Sequence, residues 1–273
     1  MNATDHVALV DTSRDELRER IALARERFDR IVRAADPLAR PPGHGWTIQQ
    51  ILAHVLTLTR RYLQFSRGLD YHHAGSAHGI AALNQSELEA AMAPVPQLAD
   101  QLQALFPEVD AFFDANSDDR QSIPFHGFGF MSTNTAQTNW LGEFLLHGQD
   151  AAQAVKAPWD LSERDMLLVL RGVRELAAGY LRRGVAANVD ACVAFQVPEA
   201  RPYLMHVHDG TAEMRERRPD DRPDAVLRLP ASTLVQLLYQ RIGQFAAVRR
   251  HLRLVGGRRP WVALKFMTYF ERV

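Results

Sequence analysis

Apolar residues recur at helical spacing at the start of the chain. Ser13-Arg-Asp-Glu16 has the form of a capping box, the signature of a helix start. Apolar side chains then follow every three or four residues: Leu17, Ile21, Ala24, Phe28, Ile31 and Ala35. This spacing places them on one face of a helix. Pro41, Pro42 and Gly43 mark the turn after it, so we predict a first amphipathic helix that ends before them.

A second helix is predicted to begin at Thr47-Ile-Gln-Gln50, which is another capping box. Its apolar stripe consists of Ile48, Ile51, Leu52, Val55, Leu58 and Tyr62. His54 borders this stripe, one turn from Ile51 and Leu58, so an imidazole should lie at the apolar face. A loop rich in Gly, Ser and His follows, from about residue 66 to residue 80.

Two more helical regions complete the first part of the chain. The third runs from about Ser86 to Ala115, and Pro94, Pro96 and Pro107 should break or kink it. Residues 116–136 are predicted to be a long crossover with an aromatic run at 125–130. Such a loop is typical of a pocket wall or lid, although its rings could also plug one end of a bundle. Helices connected in this way predict a four-helix bundle, whose core can hold a metal.

The fourth helix carries the most informative polar residues, in the run Asn139-Trp-Leu-Gly-Glu143-Phe-Leu-Leu-His147-Gly-Gln-Asp150. The spacing of Glu143 and His147 puts them on one face, and the helix is apolar nearly all round, so it should be buried. Buried polar groups need partners. A divalent metal would satisfy both, with His54 as third ligand and one open position, as in catalytic sites. A core hydrogen bond between a histidine and a glutamate, without metal, is the alternative.

The pattern changes after a fifth helix predicted from Ser162 to Arg183. Short strands are predicted over Asp190–Val197, Tyr203–His208, Thr211–Arg217 and Ala225–Leu229, with Asp209-Gly210 as a hairpin turn. Helical stretches 231–242 and 243–251, a strand at Leu252–Val255 and a final helix over about 260–270 follow. The fold class is therefore α+β. We predict two domains, a helical one at 1–158 and a mixed one at 159–273.

Composition narrows the class of function. The formal net charge is zero, which gives no reason to expect nucleic acid as a partner. The sequence shows no apolar run approaching the ~20 residues that cross a bilayer, and its first residues lack the order of a signal peptide. The single cysteine, Cys192, fits a reducing compartment and is expected to be a buried apolar residue. We therefore expect a cytoplasmic protein with no membrane partner.

The motifs together resemble a known family. Trp46-Thr-Ile-Gln-Gln-Ile-Leu-Ala-His54 is similar to the first metal motif of the DinB-like superfamily, and Glu143-x-x-x-His147-x-x-Asp150 is similar to its second. The combination most resembles the mycothiol-dependent maleylpyruvate isomerase family, in which a DinB-like four-helix bundle precedes a small α+β domain like the sterol carrier proteins. The later strands, Leu234–Arg241 and His251–Gly257 resemble that second domain.

The resemblance implies a chemistry and a set of site residues. It implies a divalent metal, usually Zn²⁺, at His54, Glu143 and His147, and mycothiol as thiol cosubstrate. Asp150 matches the acidic residue one turn beyond the second histidine. Arg241 is the best match to an arginine of the second domain that faces the metal. The loop at 72–78 and the crossover at 121–131 match no pattern of the family, which leaves the substrate open.

Thiol chemistry agrees with these residues. A metal lowers the pKa of a bound thiol, and the resulting thiolate can attack an electrophilic carbon. Isomerisation about a double bond and transfer to form an S-conjugate both begin in this way. Two other functions remain open: a hydrolase in which the metal activates water, and a non-enzymatic protein that binds an apolar ligand or lipid. Phe195, Leu204, Leu227, Leu237 and Phe266 could line a tunnel for such a ligand, or form an ordinary core.

Overall fold

The computed structural model describes residues 13–43, 45–69, 71–116, 120, 122–126, 129–198 and 200–271. They form two compact units. Among the described residues, the helical unit comprises Ser13–Gly75 and Gly79–Leu161, and the mixed unit comprises the chain from Ser162 onward with Ser76–His78. Helices dominate the first and a five-stranded sheet forms the second, which confirms the predicted α+β class. The assignment of 1–158 and 159–273 to two named domain types remains a prediction.

The helical unit is built around four helices that pack against one another. Its helices are α1 Arg14–Ala34, α2 Ile48–Ser66, α3 Ala77–Ala91, α4 Val95–Ala115 and α5 Thr133–Ala154. Helix α5 contacts α1 and α2, and α4 contacts the same two helices. The buried stripe of α1 holds Leu17, Ile21, Ala24 and Phe28, as predicted, together with Val32. Helices α1, α2, α4 and α5 thus form the predicted bundle.

Both predicted helix starts are confirmed. The Ser13 hydroxyl accepts a hydrogen bond from the backbone N–H of Glu16, and α1 begins at the next residue. Thr47 and Gln50 form a complete capping box, in which each side chain accepts from the other residue's backbone N–H. These bonds satisfy donors that a helix leaves unpaired at its first turn. Local sequence therefore determines where α1 and α2 begin.

The third helical region differs from the prediction. It is two helices, because α3 already begins at Ala77 and ends at Ala91, and α4 starts afresh at Val95 with Pro94 as its N-cap residue. Pro96 lies in the first turn of α4, where a missing backbone N–H costs nothing. Pro107 lies inside α4, which continues through it to Ala115. The prolines therefore separate the helices at 94 and not at 107.

The predicted crossover contains a short hairpin. Strand β1, Ile123–Pro124, pairs antiparallel with β2, Phe130–Met131. The aromatic run lies between the two strands, although residues 127 and 128 are outside the described part of the chain. Ser132 then caps α5 by accepting from the backbone N–H of Thr135. This hairpin precedes the helix that carries Glu143 and His147.

The mixed unit contains one sheet with helices beside it. Its elements are α6 Glu163–Leu176, α7 Arg183–Ala186, β3 Ala191–Gln196, β4 Tyr203–His208, β5 Thr211–Glu216, β6 Ala225–Arg228, α8 Ala231–Leu238, α9 Gln244–Arg249, β7 Arg253–Gly256 and α10 Val262–Phe266. The strand order is β5-β4-β3-β6-β7, in which only the β3–β6 pair is parallel. Asp209 and Gly210 both have positive φ, as the predicted hairpin turn requires.

Three details of the mixed unit correct the sequence predictions. The fifth helix ends at Leu176 and is followed by a 3-10 turn. The stretch predicted as helix to 242 ends at Leu238, so Arg241 lies in the turn between α8 and α9. Cys192 is half-buried rather than buried, and burial raises the pKa of its thiol to about 11, which argues against a nucleophile. Among the described residues, no helix is both long enough and apolar enough to cross a membrane.

Candidate metal centre

Helices α2 and α5 bring the three predicted ligands together. The Nε2 atom of His54 lies 3.5 Å from Oε2 of Glu143, and Nε2 of His147 lies 3.3 Å from the same oxygen. One ligand atom from each residue lies within 4.8 Å of the others. His54 comes from α2, and the other two lie one turn apart on α5. Two helices packed side by side thus supply a convergent set of two imidazoles and one carboxylate.

The spacing of these atoms fits a shared metal better than hydrogen bonds. Charged N–H···O bonds are usually about 2.7–2.9 Å long, and both distances here exceed that range. Ligand atoms held tetrahedrally at about 2.1 Å from Zn²⁺ lie about 3.4 Å apart. The observed 3.3 and 3.5 Å bracket that edge length. The residues therefore fit a divalent metal in both donor type and separation.

The cluster lies in an apolar and aromatic environment. His54 and His147 are buried, and the Glu143 side chain is 18% exposed, which leaves an approach from solvent. The ring of Trp46 lies 4.8 Å from that of His54 and 6.1 Å from that of His147. The Nδ1 atom of His54 is buried and has no hydrogen-bond partner among the described residues. Such a group is costly in a purely structural core.

Burial and hydrogen bonding set the charges of the cluster. Burial lowers the pKa of His54 below its ordinary value. Burial acts in the same direction on His147, but the Asp150 hydrogen bond and the nearby Glu143 carboxylate outweigh that effect and raise its pKa. For Glu143, burial acts to raise the pKa, yet the nearby imidazoles of His147 and His54 hold it well below its usual value. The ionised Glu143 and the neutral His54 are in the forms that bind a metal, and His147 would release its Nε2 proton on binding one.

Asp150 supports the second histidine from behind. Its Oδ2 lies 3.0 Å from Nδ1 of His147, and its side chain is buried. A carboxylate in this position holds the imidazole with its proton on Nδ1, which leaves Nε2 facing Glu143. The predicted position of Asp150 on nearly the same helical face explains the contact. Its role in activity remains a prediction.

A glycine lets an aromatic ring pack beside this cluster. A Cβ atom on Gly148 would lie 2.2 Å from the ring of Trp159, so only glycine fits there. The Trp159 indole donates to the backbone carbonyl of Leu145 at 3.0 Å, and the guanidinium of Arg27 lies over the ring. These contacts fix the turn of α5 that carries His147. The sequence alone did not show this role for Gly148, since a mid-helix glycine has several possible explanations.

Other residues near the site were not singled out from the sequence. Trp46 was part of the first motif, but its packing on both imidazoles was not predicted. Its indole donates to the side chain of Gln85 at 2.8 Å, which orients the ring. Arg241, in contrast, belongs to the mixed unit, and its proposed orientation toward the metal remains a prediction.

The fold and the cluster together define a helical bundle with a candidate metal site, joined in sequence to an α+β unit. Residues 21–152 match the family model described as the mycothiol maleylpyruvate isomerase N-terminal domain. The matched range includes His54, Glu143, His147 and Asp150, and it covers most of the helical unit. Most of the helical unit thus matches the N-terminal domain of this family, which confirms the resemblance found in the sequence.

Solved structures extend the likeness along the chain. The crystal structure of the mycothiol-dependent maleylpyruvate isomerase is similar with a TM-score of 0.50 and 14% identity, over 84% of this chain and 90% of that one. A histidine-to-alanine mutant of that isomerase matches equally well, with the same TM-score of 0.50 and 14% identity over 84% of this chain and 90% of that one. At this identity the likeness establishes the fold. No curated protein matches the sequence significantly.

Proposed function

We propose that the protein is a metalloenzyme that uses a small thiol to isomerise, or to form an S-conjugate with, a small electrophilic substrate. The observation that carries this proposal is the convergence of His54, Glu143 and His147 in a domain of the mycothiol maleylpyruvate isomerase family. We further propose Zn²⁺ as the metal and mycothiol as the thiol. The donor set suits Zn²⁺, since two imidazoles and one carboxylate are common ligands of catalytic zinc.

Each cluster residue has a defined part in this proposal. His54, Glu143 and His147 would hold the metal, which when bound lowers the pKa of a thiol and keeps it as thiolate. Asp150 keeps the proton of His147 on Nδ1 and so keeps Nε2 available. The Trp46 ring covers both imidazoles and excludes water from that side. Arg241 is proposed, from the resemblance alone, to bind a carboxylate of the substrate.

The isomerisation itself needs no oxidant or further reactant. The thiolate sulfur forms a bond to one carbon of a double bond conjugated to a carbonyl, and the electron pair moves to the carbonyl oxygen. The remaining carbon–carbon single bond can rotate. Return of the electron pair then expels the thiolate and restores the double bond in the other geometry. In S-transfer, the same thiolate attack displaces a leaving group instead.

Omission of the thiol tests the proposal. The purified protein is assayed on maleylpyruvate and on other activated alkenes or alkyl electrophiles, with mycothiol, without it, and with its S-methyl derivative. We expect turnover only with the free thiol. Equal turnover in thiol-free buffer would contradict the proposal and indicate a metallohydrolase.

A matched pair of variants links turnover to the cluster. Glu143→Gln removes the charged ligand with little change in shape, whereas Glu19→Gln changes an exposed glutamate on α1. We expect the first to abolish thiol-dependent turnover and the second to retain it. Equal turnover in the two variants would show that the cluster is not the reactive centre.

A further inference from the structure

A second polar feature of the helical unit is a recess formed by α2, the segment after it, the β1–β2 hairpin and α5. Its volume, counted with its open mouth, is about 310 Å³. The side chains that matter here are Arg61, Phe65, Tyr71, His73, His126 and Asn139. None of them is a predicted metal ligand. We call this feature the histidine recess.

The histidine recess lies on the same two helices as the candidate metal centre. Leu58 and Asn139 belong to its wall, and they follow His54 and precede Glu143 by four residues each. Four helical residues correspond to about 6 Å along the axis. The Tyr62 hydroxyl donates to the backbone carbonyl of Ala136 and accepts from the Asn139 amide, which ties α2 to α5 at the wall of the recess.

Among the described residues, the recess wall contains one cationic side chain, and a carboxylate behind the wall pairs with it. Arg61 lies in its wall and is only 8% exposed. Glu87 accepts hydrogen bonds from Nε and Nη2 of this guanidinium at 3.0 and 2.6 Å, and Asn84 accepts another from Nη2. Nη1 takes part in none of these three bonds. Glu87 lies outside the recess wall, and no carboxylate is part of that wall in the described residues.

The two imidazoles add further polar groups to the wall. Nδ1 of His73 is buried and has no hydrogen-bond partner in the described part of the chain. The His73 ring stacks on Phe65, with centroids 5.7 Å apart and an angle of 11°, and stands perpendicular to His126 at 6.0 Å. Burial, with the Arg61 charge, lowers the pKa of His126 to about 4. Burial likewise lowers the pKa of His73, with a smaller contribution from Arg61, so neutral imidazoles are favoured at both positions.

The backbone at His126 is unusual. Its φ is 50°, in the left-handed region that costs most residues energy. The Nδ1 atom of His126 accepts from the backbone N–H of Ala74, 3.4 Å away, which links the hairpin to the segment after α2. A conformation of this kind is frequent where a site holds a side chain in place.

We propose that the histidine recess binds a small planar carboxylate, held by Arg61 and His73 against the rings of Phe65 and Phe125. Nε and Nη2 of Arg61 are engaged by Glu87 and Asn84, so Nη1 would donate to one carboxylate oxygen and Nδ1 of His73 to the other. The aromatic walls suit a flat, conjugated body. The site rests on the proposed function in one respect: the carboxylate is taken to be one end of the electrophile that the thiolate attacks.

Side chains that only filled one end of the bundle would need neither an unpaired buried nitrogen nor an open space. Buried polar atoms in a structural core are nearly always paired, and leaving one unpaired costs about 1–3 kcal/mol. The recess contains such an atom on His73 and remains open. The unpaired nitrogen of His73 and the open space beside it therefore both favour a ligand with a polar group.

Direct binding tests the proposal without any reaction. Benzoate and maleate are titrated into the full-length protein in thiol-free buffer by calorimetry, with benzamide as neutral analogue and inorganic phosphate as a non-planar anion. We expect the carboxylates to bind and benzamide to bind at least about tenfold more weakly. Equal binding of benzamide, or tighter binding of phosphate, would overturn the assignment to a planar carboxylate.

Matched variants test whether benzoate binds in the histidine recess. His73→Phe keeps the stacked ring but removes Nδ1, and His72→Phe makes the same change at the exposed neighbour. We expect benzoate affinity to fall at least about tenfold in the first and to be unchanged in the second. The double variant Arg61→Met with Glu87→Gln removes the guanidinium without leaving a lone charge, and should weaken benzoate binding further. Unchanged affinity in both recess variants would overturn the proposal.

The recess proposal and the proposed function can be tested independently of each other. In His147→Ala, which is expected to lose the metal, benzoate should bind as in wild type. Benzoate binding that needs the metal would overturn the recess assignment. If turnover proves independent of thiol while benzoate still binds and needs His73, the proposed function fails and the recess site stands. A rise in KM for a carboxylate substrate in His73→Phe, at unchanged metal content, would link the two.

Discussion

The candidate metal centre and the histidine recess use the same residue types on the same pair of helices, yet they are organised differently. In the metal centre, His54, Glu143 and His147 project from regular helices and converge on one another. In the recess, His73 and His126 come from connecting segments and line an open space. Side chains on packed helices are held at fixed positions, which suits a metal that needs defined geometry. Loop side chains border the place where ligands of variable shape bind.

The largest expected difference between the metal centre and the histidine recess is in the metal content of two histidine variants. We expect about one divalent metal per chain in wild type and nearly none in His147→Ala, because a two-ligand site binds far more weakly. His73→Phe should keep the metal of wild type. Elemental analysis after gel filtration measures both, with circular dichroism to check folding. Equal metal content in His147→Ala and wild type would exclude the cluster as a metal site.

Glycine substitutions test whether the metal centre depends on rigid packing. Gly148→Ala should destabilise the protein by about 1–3 kcal/mol, since the new Cβ meets the Trp159 ring. Gly79→Ala, in α3, meets only Ala74 at 3.6 Å and should stabilise the protein by up to about 1 kcal/mol through helix propensity. Denaturant unfolding gives both values. Stabilisation by Gly148→Ala would show that Trp159 does not constrain this turn.

Asp150→Asn tests whether the Asp150 carboxylate holds the predicted metal ligand His147 in place. The variant keeps the shape of the side chain but weakens its hold on His147, so we expect an intact fold and an activity loss of at least about tenfold. Metal affinity measured in the same variant distinguishes two roles. Weaker metal binding indicates orientation of His147, and unchanged binding with a lost rate indicates proton transfer. Wild-type values in both would mean that Asp150 has neither role.

The last prediction concerns the pH dependence of stability and the recess. Burial lowers the pKa of His126 from 6.5 to about 4. Between these values the unfolded chain takes up a proton that the folded protein does not, so stability should fall as the pH falls from about 6.5 to about 4. His126→Asn, which tolerates the positive φ, should reduce this slope, and His72→Asn should retain it. Identical slopes in all three proteins would show that His126 is not desolvated.

Several features could be predicted from the sequence because their causes are local. Ser13 and Thr47 begin helices through hydrogen bonds to residues three positions away. The spacing of Glu143, His147 and Asp150 alone puts them on one face of α5. The predicted α+β class and the Asp209-Gly210 hairpin follow from patterns of the same short range. Where a pattern spans one or two turns, backbone geometry leaves little freedom.

The tertiary structure decided what depends on distant segments. The sequence placed His54 beside an apolar stripe, but only packing of α2 on α5 set it 3.5 Å from Glu143. The predicted third helical region became α3 and α4, and the helix predicted to continue to 242 stops at Leu238, because propensity is weak against tertiary context. The recess brings residue 73 next to residue 126, a proximity that no local pattern encodes. Local bonding thus determined the elements and their polar faces, whereas long-range packing determined which faces meet.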